Sequence, residues 1–327
     1  MNMINNTPFE CTATPFIGIQ NKTIMTVIVK GTFDFVSEDK VIPSKEQIQI
    51  FFGDERYESF NGLKFESDLI PFKPYADIAL IGKVYSSKPV RSINASLQVD
   101  NMIKTIWAFG DRKWNSVTKS MTEPELFTEM EIVYEKAFGG SDESEIVREN
   151  MIGTGFVAIK SNKDIDQVTL PNIEDPENLI KSIDDHPSPA GFGFIEKSWH
   201  PRIDYIGTYD EKWQKEQCPG YPDDFSFRFY NAAHPDLQKD SYLNGDEKIT
   251  LNHLTKDGFI RFYLPGIKLD CKVEKNTSDQ NNINIPLLMD TLCLIPDEKR
   301  LYTVCRGHCE IQDMSMKEIK TIEINKR

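Results

Sequence analysis

The sequence predicts a mainly β protein: an antiparallel sandwich or barrel-like body with two or three short helices and long ordered loops. Three observations carry that expectation: short runs in which apolar and polar residues alternate, Gly, Pro and Asx turn signals between them, and helical signals that are few and brief. The composition, 39% hydrophobic, 27% charged and 11% aromatic, is that of a folded globular chain. Its 327 residues exceed the usual single-domain mode of roughly 100–150 residues. An amino-terminal β lobe over 1–140 and a second β-rich lobe over 151–327 are therefore expected, packed closely or merged into one continuous domain.

Strand signals dominate the first third. Met25, Val27 and Val29 alternate with Thr26 and Ile28, and Gly31 in the same run marks a bulge or a close backbone approach. From 92 to 99, Ser92, Asn94, Ser96 and Gln98 alternate with Ile93, Ala95, Leu97 and Val99; Asp100-Asn101 then turns the chain into 102–109. This is a hairpin with one wet face. A second hairpin is written by 249–254, the turn Lys256-Asp257-Gly258 and the alternating 259–264. A third joins 292–295 to 301–304 across the charged loop 296–300.

Two helices are expected. Asp175-Pro176 reads as an N-cap with proline at the first helical position, opening about two turns through Ile180. Thr208-Tyr209-Asp210-Glu211 has the spacing of a capping box, and Pro219-Gly220 stops the helix it would start. The acidic stretch 141–150 reads as an exposed loop at a lobe boundary.

Charge narrows the partners. With 51 acids against 38 lysines and arginines the formal net charge is −13, which repels phosphate backbones and anionic lipid alike. Neither nucleic acid nor a membrane is an expected partner. The first residues, MNMINNTPFECTATPF, have no basic head followed by an apolar stretch, and no run approaches the ~20 apolar residues that span a bilayer. A cytoplasmic protein with reduced thiols is expected, since its six cysteines are sparse. The sequons at Asn94-Ala95-Ser96 and Asn276-Thr277-Ser278 then carry no meaning.

Catalytic spacings are weak. Cys305, His308 and Cys309 are zinc-type ligands, but a structural zinc site takes four, normally with Cys-x-x-Cys spacing, and no second cysteine pair lies elsewhere in the chain; no metal and no cofactor are expected. Asp223, Asp224, His234 and Glu247 are the best acids and bases for a hydrolase acting on a polymer. Adjacent aspartates on extended chain point to opposite faces, however, and Pro222-Asp223-Asp224 and His234-Pro235-Asp236 read more naturally as turns. There is no Gly-x-Ser-x-Gly, and the pairs Gly153/Gly155 and Gly191/Gly193 lack the lysine and the strand-to-helix context of a phosphate loop. A non-catalytic protein is expected.

The densest signal is the run 190–266, with AGFGFIEKSWHPRIDYIGTYDEKWQKEQCPGYPDDFSFRFYNAAHPD at its start. Tryptophan, tyrosine and arginine concentrate binding energy at protein interfaces, so this segment is the candidate recognition face. Trp199, Arg202 and Trp213 are expected to be exposed, being flanked by charge or proline. Along 225–229 the odd positions are aromatic and the even ones are Ser226 and Arg228, so that stretch is expected to bury one face. A carbohydrate-binding β-sandwich, with Trp199 and Trp213 stacking on sugar rings, is an alternative reading.

Together with YEKAFGG at 134–140 and LPNIEDP at 170–176, the run resembles the family called domain of unknown function 2169. The likeness covers nearly the whole chain and is most specific from Gly207-Thr208-Tyr209-Asp210 through Trp213, Pro219, Pro222-Asp223-Asp224-Phe225 and Asn231-Ala232-Ala233. Met151, Phe194 and Cys305 depart from the family's pattern, standing where proline, proline and tryptophan are usual. The resemblance implies a cytoplasmic adaptor or chaperone of type VI secretion. Its partners would be a secreted effector protein and a PAAR-type tip or VgrG-type spike protein. Trp199, Arg202, Tyr209, Trp213, Asp223, Asp224, Asn231 and His234 are the partner-binding candidates.

Overall fold

The computed structural model describes residues 1–327 except 38–39, 119, 144, 159–164 and 277–281. The second sequon therefore runs outside the described residues at 277 and 278. The main strands are β1 (Asn2–Asn5), β2 (Glu10–Ile17), β3 (Thr23–Ser37), β4 (Lys40–Pro43), β5 (Ala76–Leu80), β6 (Ser92–Val99), β7 (Met102–Phe109) and β8 (Ile173–Glu174). They continue with β9 (Gln238–Lys239), β10 (Lys248–Asn252), β11 (Phe259–Tyr263), β12 (Leu269–Lys275), β13 (Ile283–Pro286), β14 (Leu288–Ile295), β15 (Arg300–Glu310) and β16 (Ile319–Lys326). The protein is mainly β.

Three sheets carry the fold. A seven-stranded sheet runs β9-β5-β14-β15-β3-β2, with β4 also on β3; a five-stranded sheet runs β8-β7-β6-β10-β11; a four-stranded sheet runs β1-β16-β12-β13. Among the described residues none of them closes into a barrel. Pairing is not wholly antiparallel, because β14 lies parallel to β5 and β1 parallel to β16. Strands from both sides of 141–150 meet in all three sheets, β3 with β15, β6 with β10 and β1 with β16.

All three expected hairpins form. In β6 and β7 the register Ser96↔Thr105 puts Ala95, Leu97 and Val99 on the buried face beside Ile106 and Ala108. Asp100 takes the left-handed φ of 50° that a two-residue turn needs. The β10/β11 and β14/β15 hairpins follow their alternation as well, with Leu251↔Ile260 and Leu292↔Thr303 opposed. Gly31 marks a close approach and not a bulge: it pairs with Thr303 in unbroken register, and a Cβ there would lie 3.1 Å from the rings of both Phe9 and Phe33.

The run around β3 is apolar on both sides because the seven-stranded sheet is covered on both faces. Met25, Val27 and Val29 join the main core, while Ile28 joins a second cluster with Phe51, Phe65, Phe194, Ala232, Cys293 and Tyr302. The second face is thus roofed by the 48–70 region and by residues near 194 and 232, which is where the aromatic segment lies.

Helical structure departs from expectation. Residues 175–180 make a turn only: the Glu177 amide donates to Asp175 Oδ1 at 2.9 Å and the Asn178 amide to the Asp175 carbonyl at 3.0 Å. The Ile180 amide then donates to Glu174 at 2.8 Å, which pulls the chain out of a helical path. The second helix forms as α1 (Glu211–Glu216), but its N-cap is Asp210, whose Oδ1 accepts from the Trp213 amide at 2.8 Å. The stretch 141–150 holds a short antiparallel pair and ends in fully buried Asn150, whose side-chain amide donates to the Tyr134 and Phe138 carbonyls at 2.7 and 3.0 Å. No helix among the described residues is long and apolar enough to cross a membrane.

Candidate functional site

Segment 190–237 holds only the six-residue α1 and short 3₁₀ turns, with no extended strand, so most of its backbone groups must be satisfied one by one. It meets the sheet edge first. The Leu80 amide donates to the Phe192 carbonyl at 2.9 Å, and the Ile195 amide donates to the Ala232 carbonyl at 2.8 Å, closing the segment on itself. Buried charges then fix its pose. Arg202 donates through Nη1 to the Ile195 carbonyl at 2.7 Å, through Nε to the Phe229 carbonyl at 3.1 Å, and through Nη2 to Glu66. Asp77 accepts from Asn231 Nδ2 and from the Ala232 amide, each at 2.8 Å, and pairs with Lys73 at 2.6 Å.

These clamps belong to a larger buried cluster. Lys73 also lies 3.6 Å from Glu66; on the same sheet Lys30 donates to Asp68 at 2.8 Å, and Arg306 pairs with Asp290 while lying 3.8 Å from Asp68. Four cations face four carboxylates, and each of the eight is no more than 5% exposed. Charges taken out of water are tolerated only when paired and hydrogen-bonded. Burial pushes the Lys30 ammonium down from its ordinary value, against the pull of Asp68. Burial likewise raises the Asp290 carboxyl, against Arg306.

Two expected anchors are therefore not surface residues. Arg202 is 1% exposed, because its guanidinium is consumed by the clamp. Trp199 is 3% exposed and packs edge-on against Tyr134, ring centroids 5.5 Å apart, inside the main core. Asn231 is fully buried and serves Asp77 and the Tyr75 carbonyl. Trp213 is half-buried, where exposure was expected: its Nε1 donates to the Gly220 carbonyl at 2.8 Å, and Tyr209 stands edge-on to it at 4.6 Å. Tyr209 remains 47% exposed.

Residues 225–229 do not form an alternating strand. They lead into a 3₁₀ turn over Phe227–Tyr230, and their aromatic rings stay half-buried. The rings pile up instead. Tyr221 stacks on Phe225 at 4.1 Å, Phe225 meets Phe227 edge-on at 5.2 Å, Phe227 stacks on Phe72 at 4.4 Å, and Phe72 stacks on exposed His308 at 5.1 Å. The Tyr221 and Tyr230 hydroxyls are 2.8 Å apart. Arg228 sits between the Tyr75 and Tyr205 rings, 5.0 and 4.8 Å from their centroids. The result is a continuous half-exposed aromatic surface on a charge-clamped base.

The carboxylates and histidine of the hydrolase reading do not converge. Asp224 accepts from the Thr208 amide and hydroxyl at 2.9 and 2.7 Å, and those bonds hold its carboxyl below the usual range. Asp223 is exposed beside it. His234 donates from Nε2 to the Pro189 carbonyl at 3.1 Å and accepts at Nδ1 from the Asp236 amide at 3.2 Å; burial, then Lys104, pushes it down to about 4. Glu247 is 2% exposed and accepts the amides of Asn244 and Gly245. Among the described residues no hydrogen bond or ion pair joins any two of these four. Cys305 and Cys309 share one face of β15 and His308 points to the other; burial raises the Cys305 thiol to about 12.

A family profile described as an uncharacterized protein conserved in bacteria, domain of unknown function 2169, matches residues 20–306. The chain belongs to this family. No curated protein and no solved structure matches it significantly. In this member of domain of unknown function 2169, the match takes in the aromatic segment and every charge of the buried cluster.

Reading the sequence missed Phe72, Tyr75 and the clamp acids Glu66 and Asp77. A signal existed for part of it. Lys30 interrupts the apolar run of β3, and Asp290 interrupts that of β14, which marks a charge with a buried partner. Gly220 follows the end of α1 and also lets the chain touch Asn21, whose Oδ1 accepts the Tyr221 amide at 2.7 Å; a Cβ at Gly220 would lie 2.5 Å from the Asn21 side chain.

Proposed function

We propose that this protein is a non-catalytic cytoplasmic adaptor that binds a type VI secretion effector, or its PAAR-type tip domain, and helps load it onto the spike. The observation that carries the reading is the half-exposed aromatic surface from Tyr221 to His308, whose rings meet face-on and edge-on, with the Tyr209/Trp213 pair tied beside it through the Gly220 carbonyl and buried ion pairs beneath. A rigid aromatic face loses little rotamer entropy on docking, which suits a protein client better than a small substrate. Family membership supports the choice through the likeness on which the adaptor expectation rests. The sugar-binding alternative is weakened, since Trp199 is not available for stacking.

The test is co-expression with the effector encoded beside the gene, followed by affinity capture with wild type, Tyr209→Ala and Phe72→Ala. Stoichiometric capture by wild type that both variants reduce supports the reading. Capture that is absent, or indifferent to both substitutions at unchanged melting temperature, removes it.

A further inference from the structure

Buried cations in this protein come with a counter-ion. Among the described residues Lys30, Lys73, Lys104, Arg112, Arg202 and Arg306 are each no more than 6% exposed, and they meet Asp68, Asp77, Asp236, Glu174, Glu66 and Asp290 respectively. Arg228 breaks the pattern. It is half-buried between the Tyr75 and Tyr205 rings, yet among the described residues no hydrogen bond or ion pair reaches its guanidinium. Its Nε is buried without a partner, while Nη1 and Nη2 keep access to solvent.

The backbone holds this charge in place. The Arg228 amide donates to Ser226 Oγ at 3.4 Å and its carbonyl accepts the Asn231 amide at 3.0 Å, which closes the 3₁₀ turn Phe227–Tyr230. Buried Asn231 also fixes Tyr75, donating from Nδ2 to its carbonyl at 2.9 Å. Ring faces attract a guanidinium but do not neutralise it. A cation that has lost part of its water and gained no carboxylate is an unfinished pair, and an arriving anion gains more there than on open surface. In a chain of net charge −13 an acidic partner is repelled at long range, so a free cation decides where its carboxylate settles.

We propose that Arg228 receives an Asp or Glu side chain of the client protein through Nη1 and Nη2, while an apolar or aromatic residue beside that acid packs on Phe227 and Phe72. A carboxylate is the matching anion, because one guanidinium offers a planar fork and a single charge, whereas phosphorylated motifs are ordinarily held by clusters of arginines. The ligand is a protein segment because the rings around Arg228 are half-exposed and have to be covered for the pair to be dried. This inference rests on the aromatic surface being the client face, and it names what that face selects.

The probe is a random dodecapeptide phage library selected on the full-length chain, with the best enriched sequence then synthesised. Enriched peptides should share one Asp or Glu beside an apolar or aromatic residue. Arg228→Gln should weaken the peptide at least about tenfold, and Arg228→Lys, which keeps the charge and loses the fork, should fall between. Both variants should melt as wild type does, since no bond of the guanidinium is lost. Arg228→Glu should recover binding when the acid of the peptide is replaced by arginine, a rescue that a merely structural arginine would not give. Failure to enrich any sequence, enriched peptides without a shared acid, equal binding by Arg228→Gln, or no rescue by the swapped pair each overturn the proposal. So does displacement of the peptide by inorganic phosphate at constant ionic strength, or self-association of the wild-type chain that Arg228→Gln abolishes, which would make phosphate or a second copy the occupant. Phe72→Ala separates this inference from the reading beneath it. A peptide lost by Phe72→Ala and kept by Arg228→Gln strikes the charge selection alone, whereas one kept by both strikes the surface as well.

Discussion

Hairpin β6/β7 and segment 190–237 are both ordered, yet they are held by different physics. In the hairpin, partners are near in sequence and the pattern of side chains decides which face is buried; Ala95, Leu97 and Val99 go inward together because successive residues alternate. The segment has no period to exploit. Its pose is set by side chains that bond to backbone, with partners far away in the chain: Arg202 reaches Glu66 across 136 residues, and Asn231 reaches Asp77 across 154. An apolar core tolerates volume-conserving exchange of its side chains, whereas a buried ion with its hydrogen bonds has one acceptable arrangement. That difference is what a recognition loop needs, because a half-exposed aromatic surface keeps its shape only if the backbone beneath it cannot drift.

The comparison breaks most visibly at Arg202. Arg202→Ala leaves buried Glu66 with only the distant Lys73, 3.6 Å away, and removes the bonds to the Ile195 and Phe229 carbonyls, so it should cost about 3–5 kcal/mol of stability by denaturant titration. Leu97→Ala should cost a comparable amount, about 2–5 kcal/mol, through the cavity it leaves. The two should differ in where exchange accelerates. Arg202→Ala should open amides of 190–237 ahead of global unfolding, and Leu97→Ala should open the sheet as a unit. A loss below about 1 kcal/mol for Arg202→Ala would mean that packing, not the clamp, holds the segment.

His234 tests the same segment through pH. Burial, seconded by Lys104, depresses its pKa to about 4 from 6.5, while Asp236, the Pro189 carbonyl and Asp175 pull the other way. The unfolded chain therefore binds this proton first. Stability from His234 is fully present above pH 6.5 and is lost as pH falls through 6.5 towards 4, by about 3 kcal/mol in all. His234→Gln keeps a donor for the Pro189 carbonyl but cannot be protonated. Its unfolding free energy should decline less than wild type between pH 7 and 4, and identical pH profiles would show that His234 is not held neutral.

What the sequence disclosed divides along the same line. Strands announced themselves through alternation at 92–99, 249–254 and 259–264, and turn chemistry at Asp100 and Gly258 supplied their ends. Exposure within the loops was not legible, because flanking charge and proline around Trp199 and Arg202 describe local polarity and say nothing of which distant group packs above them. Aromatic spacing at Phe225, Phe227 and Phe229 mimicked a strand, but stacking on Phe72 and Tyr221 favoured a tight turn. The aromatic surface proposed here as the recognition face was signalled by residue type, and its geometry depends on contacts that no local pattern encodes.

A surface that is rigid beneath and exposed above should separate binding from folding. Tyr209→Ala is expected to weaken capture of the proposed effector client by ~2 kcal/mol, roughly thirtyfold in affinity, with little change in melting temperature. Phe227→Ala should lower both quantities, since its half-buried ring supports Phe72. Calorimetric titration alongside thermal melting distinguishes them. If Tyr209→Ala binds as wild type does, the client uses the Phe72 and His308 end of the surface instead.

The smallest effect concerns the start of α1, where sequence and structure assign the cap to different residues. A six-residue helix is too short to persist alone, so its first turn depends on Asp210 accepting the Trp213 amide. Asp210→Ala should destabilise the helix by about 1 kcal/mol and speed exchange of the Trp213 amide. Thr208 acts elsewhere, since its hydroxyl and amide both donate to Asp224 and tie the loop before the helix to the turn at Pro222. Thr208→Val removes the hydroxyl but leaves the cap, so the Trp213 amide should stay protected while exchange near Asp224 rises. If Thr208→Val exposes the Trp213 amide more than Asp210→Ala does, the capping box predicted from Thr208 to Glu211 is the true start of the helix. The Trp213 ring, which leans on Gly220 through Nε1, would then owe its position to Thr208 and not to Asp210.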